Sequence, residues 1–336
     1  MHGANIEPRL PPELERLVAE TTAFTHRKCI PHLLLVARRF HIWIHPLRYR
    51  VIQLKRTTQQ PILMALRHNR DALRTGLRAL CLDVDGKLPQ KHILDIISLG
   101  EHIEDLGVVP NFCSPRFLAA YSLLPLVRFT GLVGDLFGGD TPVDPRHPFF
   151  ARITHLELFD DFPGSAGALE REPFPWLQRL PALTHVSFAD RQAIPPAMER
   201  WIGALLEGMP QLVLFVLVWV RSDVRGHRAT IDELGVHDAG HRFMAGSYPQ
   251  RGGNMWYEWY AAASPGTTTD YWERGEEFLR RKKAKEVDVS RRWMDDWMYD
   301  VPGLSPEERD GDAEATRRVR FDPVDPAEYF EPSLWV

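Results

Sequence analysis

The chain has 336 residues, about twice the length of a typical domain, and 44% of them are hydrophobic, 10% aromatic and 26% charged. This composition excludes a mainly disordered chain, a collagen-like fibre and a disulfide scaffold. The net charge of -4 is unevenly distributed, because residues 1–60 hold ten Lys/Arg against four Asp/Glu, whereas residues 300–336 hold four against ten. The total charge therefore indicates no single electrostatic role, and we expect no nucleic-acid partner.

Cysteine usage and hydropathy indicate the compartment. The three cysteines have neither CxxC nor any other metal-ligand spacing, which favours reduced thiols in an intracellular protein. The N-terminus lacks the apolar region of a secretory signal, so we expect a cytoplasmic or nuclear location. The longest apolar run, residues 212–220, is less than half of the ~20 residues that a membrane helix needs. It predicts a buried strand, and we expect no membrane segment.

Two short helices are predicted near the N-terminus. The first begins at the prolines Pro11 and Pro12 and carries apolar residues at i, i+3 and i+4. The second begins after Pro31, and Pro46 should end it. Its apolar stripe, at spacings of four, three and four, consists of Val36, Phe40, Trp43 and Leu47. Two such helices bury little surface alone, so they need the following chain or a partner.

From residue 77 an apolar pattern of the form LxxLxL occurs six times. The copies begin at Leu77, Ile103, Leu124, Ile153, Leu183 and Leu212. Intervals of 21 to 30 residues are typical of leucine-rich repeats, in which each unit adds one strand to a parallel sheet. We therefore predict an α/β fold, with an irregular leucine-rich-repeat solenoid over residues 70–285 that places helices and loops on its convex side. An ordinary α/β sandwich with irregular strand intervals is the alternative.

Alternate residues of these strands should point to the concave face, which solenoids commonly use for binding. The candidate target-binding residues are Asp83, Asp105, Arg128, His155, Glu157, His185 and Ser187. His155 and His185 should be neighbours about 5 Å apart. No third convergent ligand is evident for a metal, so polar residues of the repeat consensus are the preferred interpretation. We expect neither metal nor cofactor.

Signatures of catalysis are missing from the sequence, which contains no GxSxG, GxxxxGK[ST] or HExxH motif. The aromatic string MWYEWY, residues 255–260, predicts rings that close the open end of the array, with a binding patch as the alternative. A capping helix should follow, with its N-cap near Thr269 or Asp270. The acidic tail, residues 300–336, is predicted to lack stable structure.

Residues 8–54 carry the strings LPPELERLVAE and IPHLLLVARRFHIWIHPLRYRVI. They resemble the F-box-like helical module of many fungal proteins, and the later strings THLELFD, LTHVSF and DYWERGEEF resemble the degenerate leucine-rich repeats that follow it in that family. The resemblance implies that the module docks on the Skp adaptor of a cullin ubiquitin ligase. The residues that the resemblance implies for adaptor binding are Leu10, Pro11, Leu14, Val18, Leu35, Val36, Phe40 and Trp43, and Leu47 and Tyr49 also occupy matching positions.

The resulting expectation is a non-enzymatic substrate-recognition subunit of a Skp-cullin-F-box ubiquitin ligase, whose repeats hold a target protein. The alternative is a stand-alone leucine-rich-repeat binding protein, in which residues 8–54 only cap the solenoid. A third possibility, a hydrolase or metal enzyme, needs a further ligand or nucleophile beside His155 and His185. Exposure distinguishes the first two, because a cap buries Leu14 and Trp43 against the first repeat whereas an adaptor-binding module exposes them.

Overall fold

The computed structural model describes residues 10–84, 88–139, 141–160, 174–189, 198–220, 231, 234–236, 240–248, 256–263 and 270–294. The predicted acidic tail, residues 300–336, and Thr269 lie outside these ranges.

The chain begins with a small helical module. It contains α1 (Pro12–Thr25), α2 (Ile30–Leu34), α3 (Arg38–Ile44) and a 3-10 turn (His45–Tyr49). The second predicted helix is therefore two helices, because the backbone between them is extended at Ala37 (φ -162°, ψ 157°). Pro46 follows the end of α3, as predicted. The core of the module consists of Ala19, Ala23, Ile30 and Ile44, with Phe40, Trp43 and Leu47 packed against it.

Within the described ranges, eight strands form one sheet, in which every strand is parallel to its neighbours and lies in chain order. They are β1 (Val51–Leu54), β2 (Ala79–Leu82), β3 (Asp105–Val108), β4 (Arg128–Gly131), β5 (His155–Leu158), β6 (His185–Ala189), β7 (Leu214–Val220) and β8 (Phe243–Tyr248). The predicted α/β class with parallel strands is confirmed. Sequential parallel neighbours of this kind are compatible with a solenoid.

Helices connect the strands along one side of the sheet, which we call the outer face. They are α4 (Gln59–His68), α5 (Arg70–Gly76), α6 (Gln90–Ser98), α7 (Pro115–Tyr121), α8 (Val133–Leu136) and α9 (Met198–Gly208). Their apolar residues share one core with the outward-facing residues of the strands; Ile62 and Ile93, for example, join a cluster that contains Leu80 and Leu106. The amphipathic pattern of these helices and the LxxLxL pattern thus supply the two halves of the main core.

The register corrects one predicted repeat. Phe129 pairs with Leu106 and Leu156, the residues at the fourth position of their repeats. The third copy therefore begins at Leu126, which is buried, and not at Leu124, which is only partly buried. The intervals on either side become 23 and 27 residues in place of 21 and 29, so the shortest predicted interval came from a two-residue error in register.

Two strands were not predicted. β1 corresponds to Tyr49, Ile52 and Leu54 in the repeat pattern, and Tyr49 lies 28 residues before Leu77. These residues fell inside the predicted module 8–54, whose last four residues are therefore the first strand of the sheet. β8 aligns Phe243 with Phe215, which places Gly240 at the first repeat position. A glycine there removes the apolar signal on which the pattern depends.

The nine-residue apolar run is buried on both sides. In β7, Phe215, Leu217 and Trp219 belong to the main core on the outer face. The alternate residues Leu214, Val216 and Val218 belong to a second cluster on the opposite face, which we call the inner face. Continuous apolar sequence is expected for a parallel strand that is covered on both faces, as predicted from residues 212–220.

Two C-terminal helices cover the inner face. α10 (Trp256–Ala263) packs Trp256, Trp259 and Tyr260 against β1 and β2. α11 (Tyr271–Lys283) packs Phe278 and Leu279 against the inner side of β7. The prediction that the MWYEWY rings close the end of the array is wrong for Trp256, Trp259 and Tyr260, which lie on the inner face of the first strands. They can approach closely because Gly107 has no side chain; a β-carbon there would lie 2.5 Å from Trp256.

Candidate functional site

The first candidate site is an exposed apolar surface on the N-terminal module. Its members are 45% to 86% exposed: Leu10, Leu14, Leu17, Val18, Leu35, Val36 and Ile42. On α1 the small residues Ala19 and Ala23 face the core of the module, whereas the leucines and Val18 face solvent. A helix of a soluble domain normally buries its largest apolar side chains. The reverse arrangement is typical of a surface that another molecule covers.

Of the residues predicted to bind the adaptor, six are exposed: Leu10, Pro11, Leu14, Val18, Leu35 and Val36. Phe40 and Trp43 are half-buried and pack against the core of the module. The guanidinium of Arg39 on α3 donates two hydrogen bonds to the carboxylate of Glu15 on α1, at 2.7 and 2.6 Å. This pairing lowers the pKa of Glu15. It fixes α1 beside α3, so the two exposed apolar segments have a defined relative position.

The second candidate site is a group of polar side chains on the inner face. Strand register aligns Asp105, Arg128, His155 and His185 in one row across β3 to β6. A second row, two residues further along each strand, consists of Gly107, Thr130, Glu157 and Ser187. Because alternate residues of a strand share a face, the predicted concave residues do lie on one side of the sheet.

Residues of α10 and α11 contact both rows. The indole Nε1 of Trp259 donates a hydrogen bond of 2.8 Å to Oδ1 of Asp105. Arg128 forms an ion pair of 2.9 Å with Asp270. Asp270 is also the N-cap of α11, where it accepts a bond of 2.7 Å from the backbone N–H of Glu273. The predicted N-cap is thus confirmed at Asp270, and the carboxylate serves both as cap and as partner of Arg128.

Two buried carboxyl groups have strongly raised proton affinities. Burial raises the pKa of Asp105 to about 7, against the opposing effects of Arg128 and of the bond from Trp259. Burial also raises the pKa of Glu157 to about 7, although Tyr248 and Thr130 donate hydrogen bonds to it. Desolvation dominates in both cases because charged carboxylates lose their water without gaining a directly bonded cation.

His155 and His185 stack with ring centroids 4.0 Å apart and an angle of 6° between planes. The ring of Trp272 lies nearly perpendicular to both imidazoles, with centroid distances of 5.5 and 5.6 Å. Burial lowers the pKa of His155 to about 2, so this ring is neutral at physiological pH. Nε2 of His185 lies 2.9 Å from a carboxylate oxygen of Glu276 on α11. The stacked histidines therefore connect the sheet to α11 and do not form a pair of free imidazoles.

A third contact joins the two C-terminal helices. Arg274 of α11 forms an ion pair of 2.8 Å with Glu258 of α10, and both side chains are less than 10% exposed. Glu258 also accepts a hydrogen bond from the backbone N–H of Tyr271, and Arg274 donates one to the carbonyl of Ser247 at the end of β8. The ion pair and its neighbouring hydrogen bonds therefore join α10, α11 and β8.

Because of these contacts, most of the residues predicted to bind a target do not lie on an open concave surface. Asp105, Glu157, His185 and Ser187 are buried beneath the chain's own helices. Arg128 and His155 are partly exposed beside them, and the half-buried Asp83 is bonded to Gln53. Their role in binding a target stays a prediction. The residues that sequence reasoning did not place here, Trp259 and Asp270, had a signal in the aromatic string and in the predicted cap.

A small cavity lies over β3 to β5, where α10 and the N-terminus of α11 meet the sheet. Its volume is about 20 Å³, and Asp105, Arg128, Glu157, Trp259, Asp270 and Trp272 contribute to its lining. A water-sized group needs roughly 10 to 15 Å³ of such space. Within the described residues, no group of three or more His, Cys, Asp or Glu side chains is arranged to hold a metal ion.

Comparison of the chain with family models, with curated proteins and with solved structures finds no significant match. Among the helices that the structure describes, none has the length and apolar content needed to cross a membrane.

Proposed function

We propose that this chain is a non-enzymatic substrate-recognition subunit of a Skp-cullin-F-box ubiquitin ligase, whose N-terminal helical module ends before β1 and docks on the Skp adaptor. The exposed apolar surface of the module carries the proposal. Leu14, which would be buried in a simple cap, is 49% exposed, and Leu35 is 86% exposed. Trp43 packs inside the module rather than against the first strands. Leu14 therefore meets the criterion stated from the sequence, whereas the half-buried Trp43 is neither packed against the first repeat nor fully exposed.

The remaining chain would act as a leucine-rich-repeat array that recognises a target protein. Sequential parallel strands with helices on the outer face support this assignment. Because α10 and α11 cover the inner face, a target would meet the exposed side of these helices and the rim of the sheet. Side chains available there include Glu273, Glu276 and the partly exposed Arg128.

The alternative is a stand-alone leucine-rich-repeat protein, in which the module only caps the array. The close contact between the module and the array favours this capping role. Gly76 at the end of α5 lies against the carbonyl of Pro46, with no room for a β-carbon. Arg27 of the module donates a hydrogen bond to the hydroxyl of Tyr260 on α10. A module joined this firmly could stabilise the first repeat with no partner.

Co-expression with a Skp-type adaptor, followed by copurification, tests the proposal. Leu14→Asp and Leu35→Asp place charges on the exposed surface without disturbing the core, so each should abolish recovery of the adaptor while leaving the thermal unfolding temperature unchanged. Leu123→Asp is the matched control, because Leu123 is 85% exposed but lies beyond α7 in the array. Absence of the adaptor from the wild-type preparation would exclude the ligase role and leave the capping alternative.

A further inference from the structure

We call the cavity between α10, α11 and the sheet the seam pocket. Two indole rings and several carboxyl groups are among the side chains that line it. Trp259 and Trp272 line it together with Asp105 and Glu157. Carboxylates attract an organic cation, and so does an indole ring when the cation lies over its face. Its lining residues lie on β3 to β5, on α10, and on α11 with its N-cap.

Two of the carboxyl groups around the seam pocket have no partner of opposite charge among the described residues. Asp270 is neutralised by Arg128, and Glu258 by Arg274. Asp105 and Glu157 form no ion pair within the part of the chain that the structure describes. Neutral groups bond them instead: the indole of Trp259 on one, and hydroxyls on the other. Two buried carboxyls therefore face one small space without a directly bonded cation.

Asp105 is only 9% exposed. Its Oδ1 accepts the hydrogen bond from Trp259, and its Oδ2 has no hydrogen bond to any described residue. Because Asp105 lines the seam pocket, this oxygen is an available acceptor for a group that enters it. An acceptor at the wall of a cavity that lacks a protein partner is normally satisfied by a water molecule or by a ligand.

We propose that the seam pocket binds a primary ammonium group, either the head of a lysine side chain from a partner protein or that of a small alkylamine. An ammonium group is about the size of a water molecule, which matches a cavity of about 20 Å³. Its three N–H donors suit the two carboxyl groups, and its charge suits the indole walls. This proposal does not depend on the ubiquitin role.

Binding should release protons. The pKa values of Asp105 and Glu157 are both about 7 in the free protein, so a cation placed between them would lower both values. At pH 7 the bound complex would therefore hold fewer protons than the free protein. The calorimetric enthalpy of binding should accordingly change with the ionisation enthalpy of the buffer, a signature that adsorption to a surface carboxylate does not give.

The test is titration of the full-length chain with n-butylammonium chloride and, separately, with a peptide that contains one lysine. Two-dimensional NMR would follow the indole N–H signal of Trp259, assigned from Trp259→Phe, and calorimetry would be run in two buffers. Saturable binding of both probes supports a lysine-accepting site, and binding of butylammonium alone restricts the site to small amines. The Nε-acetylated peptide should not bind, because it lacks the charge.

Asp105→Asn should weaken binding at least about tenfold, since it replaces a charged acceptor by a neutral one of the same shape that can still accept the bond from Trp259. Glu157→Gln should do the same. Asp71→Asn is the control, because this carboxyl on α5 is 92% exposed. The proposal is overturned if neither probe gives a saturable shift, if the acetylated peptide binds equally well, or if both pocket variants keep wild-type affinity; water would then be the occupant.

Discussion

Replacing Asp105 or Glu157 by its amide should change how the stability of the fold depends on pH. Burial raises the pKa of Asp105 from 3.8 to about 7, and that of Glu157 from 4.5 to about 7. Between pH 4 and pH 7 the folded chain therefore binds more protons at these groups than the unfolded chain does. By linkage, their contribution to the free energy of unfolding falls as the pH rises through this range and levels off above about pH 8.

The magnitude follows from the same values. One unit of pKa difference corresponds to about 1.36 kcal/mol. Between pH 5 and pH 8, each carboxyl should therefore cost the wild type on the order of 2.5 kcal/mol relative to its amide variant. Buried histidines act in the opposite direction: the lowered pKa values of His155 and His45 make stability fall as the pH drops below about 6.5. Their contribution is common to wild type and variant and cancels in the difference.

Urea unfolding of the wild type, Asp105→Asn and Glu157→Gln at pH 5 and pH 8 measures this difference. The free-energy gap between each variant and the wild type should shift by roughly 2.5 kcal/mol in favour of the variant at the higher pH. Asp71→Asn, on an exposed side chain, should show no comparable shift. A gap that is equal at both pH values would falsify the conclusion that burial keeps these carboxyls partly protonated up to about pH 7.

Three further substitutions test the packing. Glu258→Ala leaves the guanidinium of Arg274 buried without its carboxylate, and should lower the free energy of unfolding by about 3 to 5 kcal/mol in urea. Gly107→Val drives a side chain into Trp256 and should cost about 1 to 3 kcal/mol, seen as a lower unfolding temperature; an unchanged temperature would mean that α10 does not rest on β3. Leu35→Asp should change the free energy of unfolding by less than about 0.5 kcal/mol, and a larger loss would show that this side chain is covered within the folded chain.

The sheet could be predicted because its signal is repeated. Each strand places apolar residues at fixed positions, and six of the eight strands were recognised from the LxxLxL pattern. The two others failed for different reasons. Gly240 gives no apolar signal at the first position of the last repeat, whereas Tyr49 was assigned to the helical module that precedes it. The third repeat was misplaced by two residues because both Leu124 and Leu126 fit the pattern, and only the pairing with neighbouring strands distinguishes them.

The cover on the inner face could not be predicted in the same way. Periodicity shows which side of a strand a residue faces, so His155 and Glu157 were assigned to the inner face correctly. It does not show what lies against that face, because the contacts of Trp259 with Asp105 and of Tyr248 with Glu157 join residues that are 154 and 91 positions apart. A polar residue on an open concave surface and one bonded beneath a helix give the same local pattern.

The distribution of residues along the two inner-face rows explains why α10 and α11 contact the sheet partly through apolar and partly through charged side chains. At the ends of the rows, Ala79 and Leu214 offer apolar surface, and the chain meets them with aromatic and aliphatic side chains. In the middle the strands offer charged and polar groups, and here the N-terminus of α11 supplies a carboxylate to Arg128. Each region is matched by its chemical counterpart, so displacing α11 would expose apolar strands and unpaired charge together. A target that needed the bare sheet would have to compensate both losses, whereas a ligand that enters only the seam pocket would disturb neither.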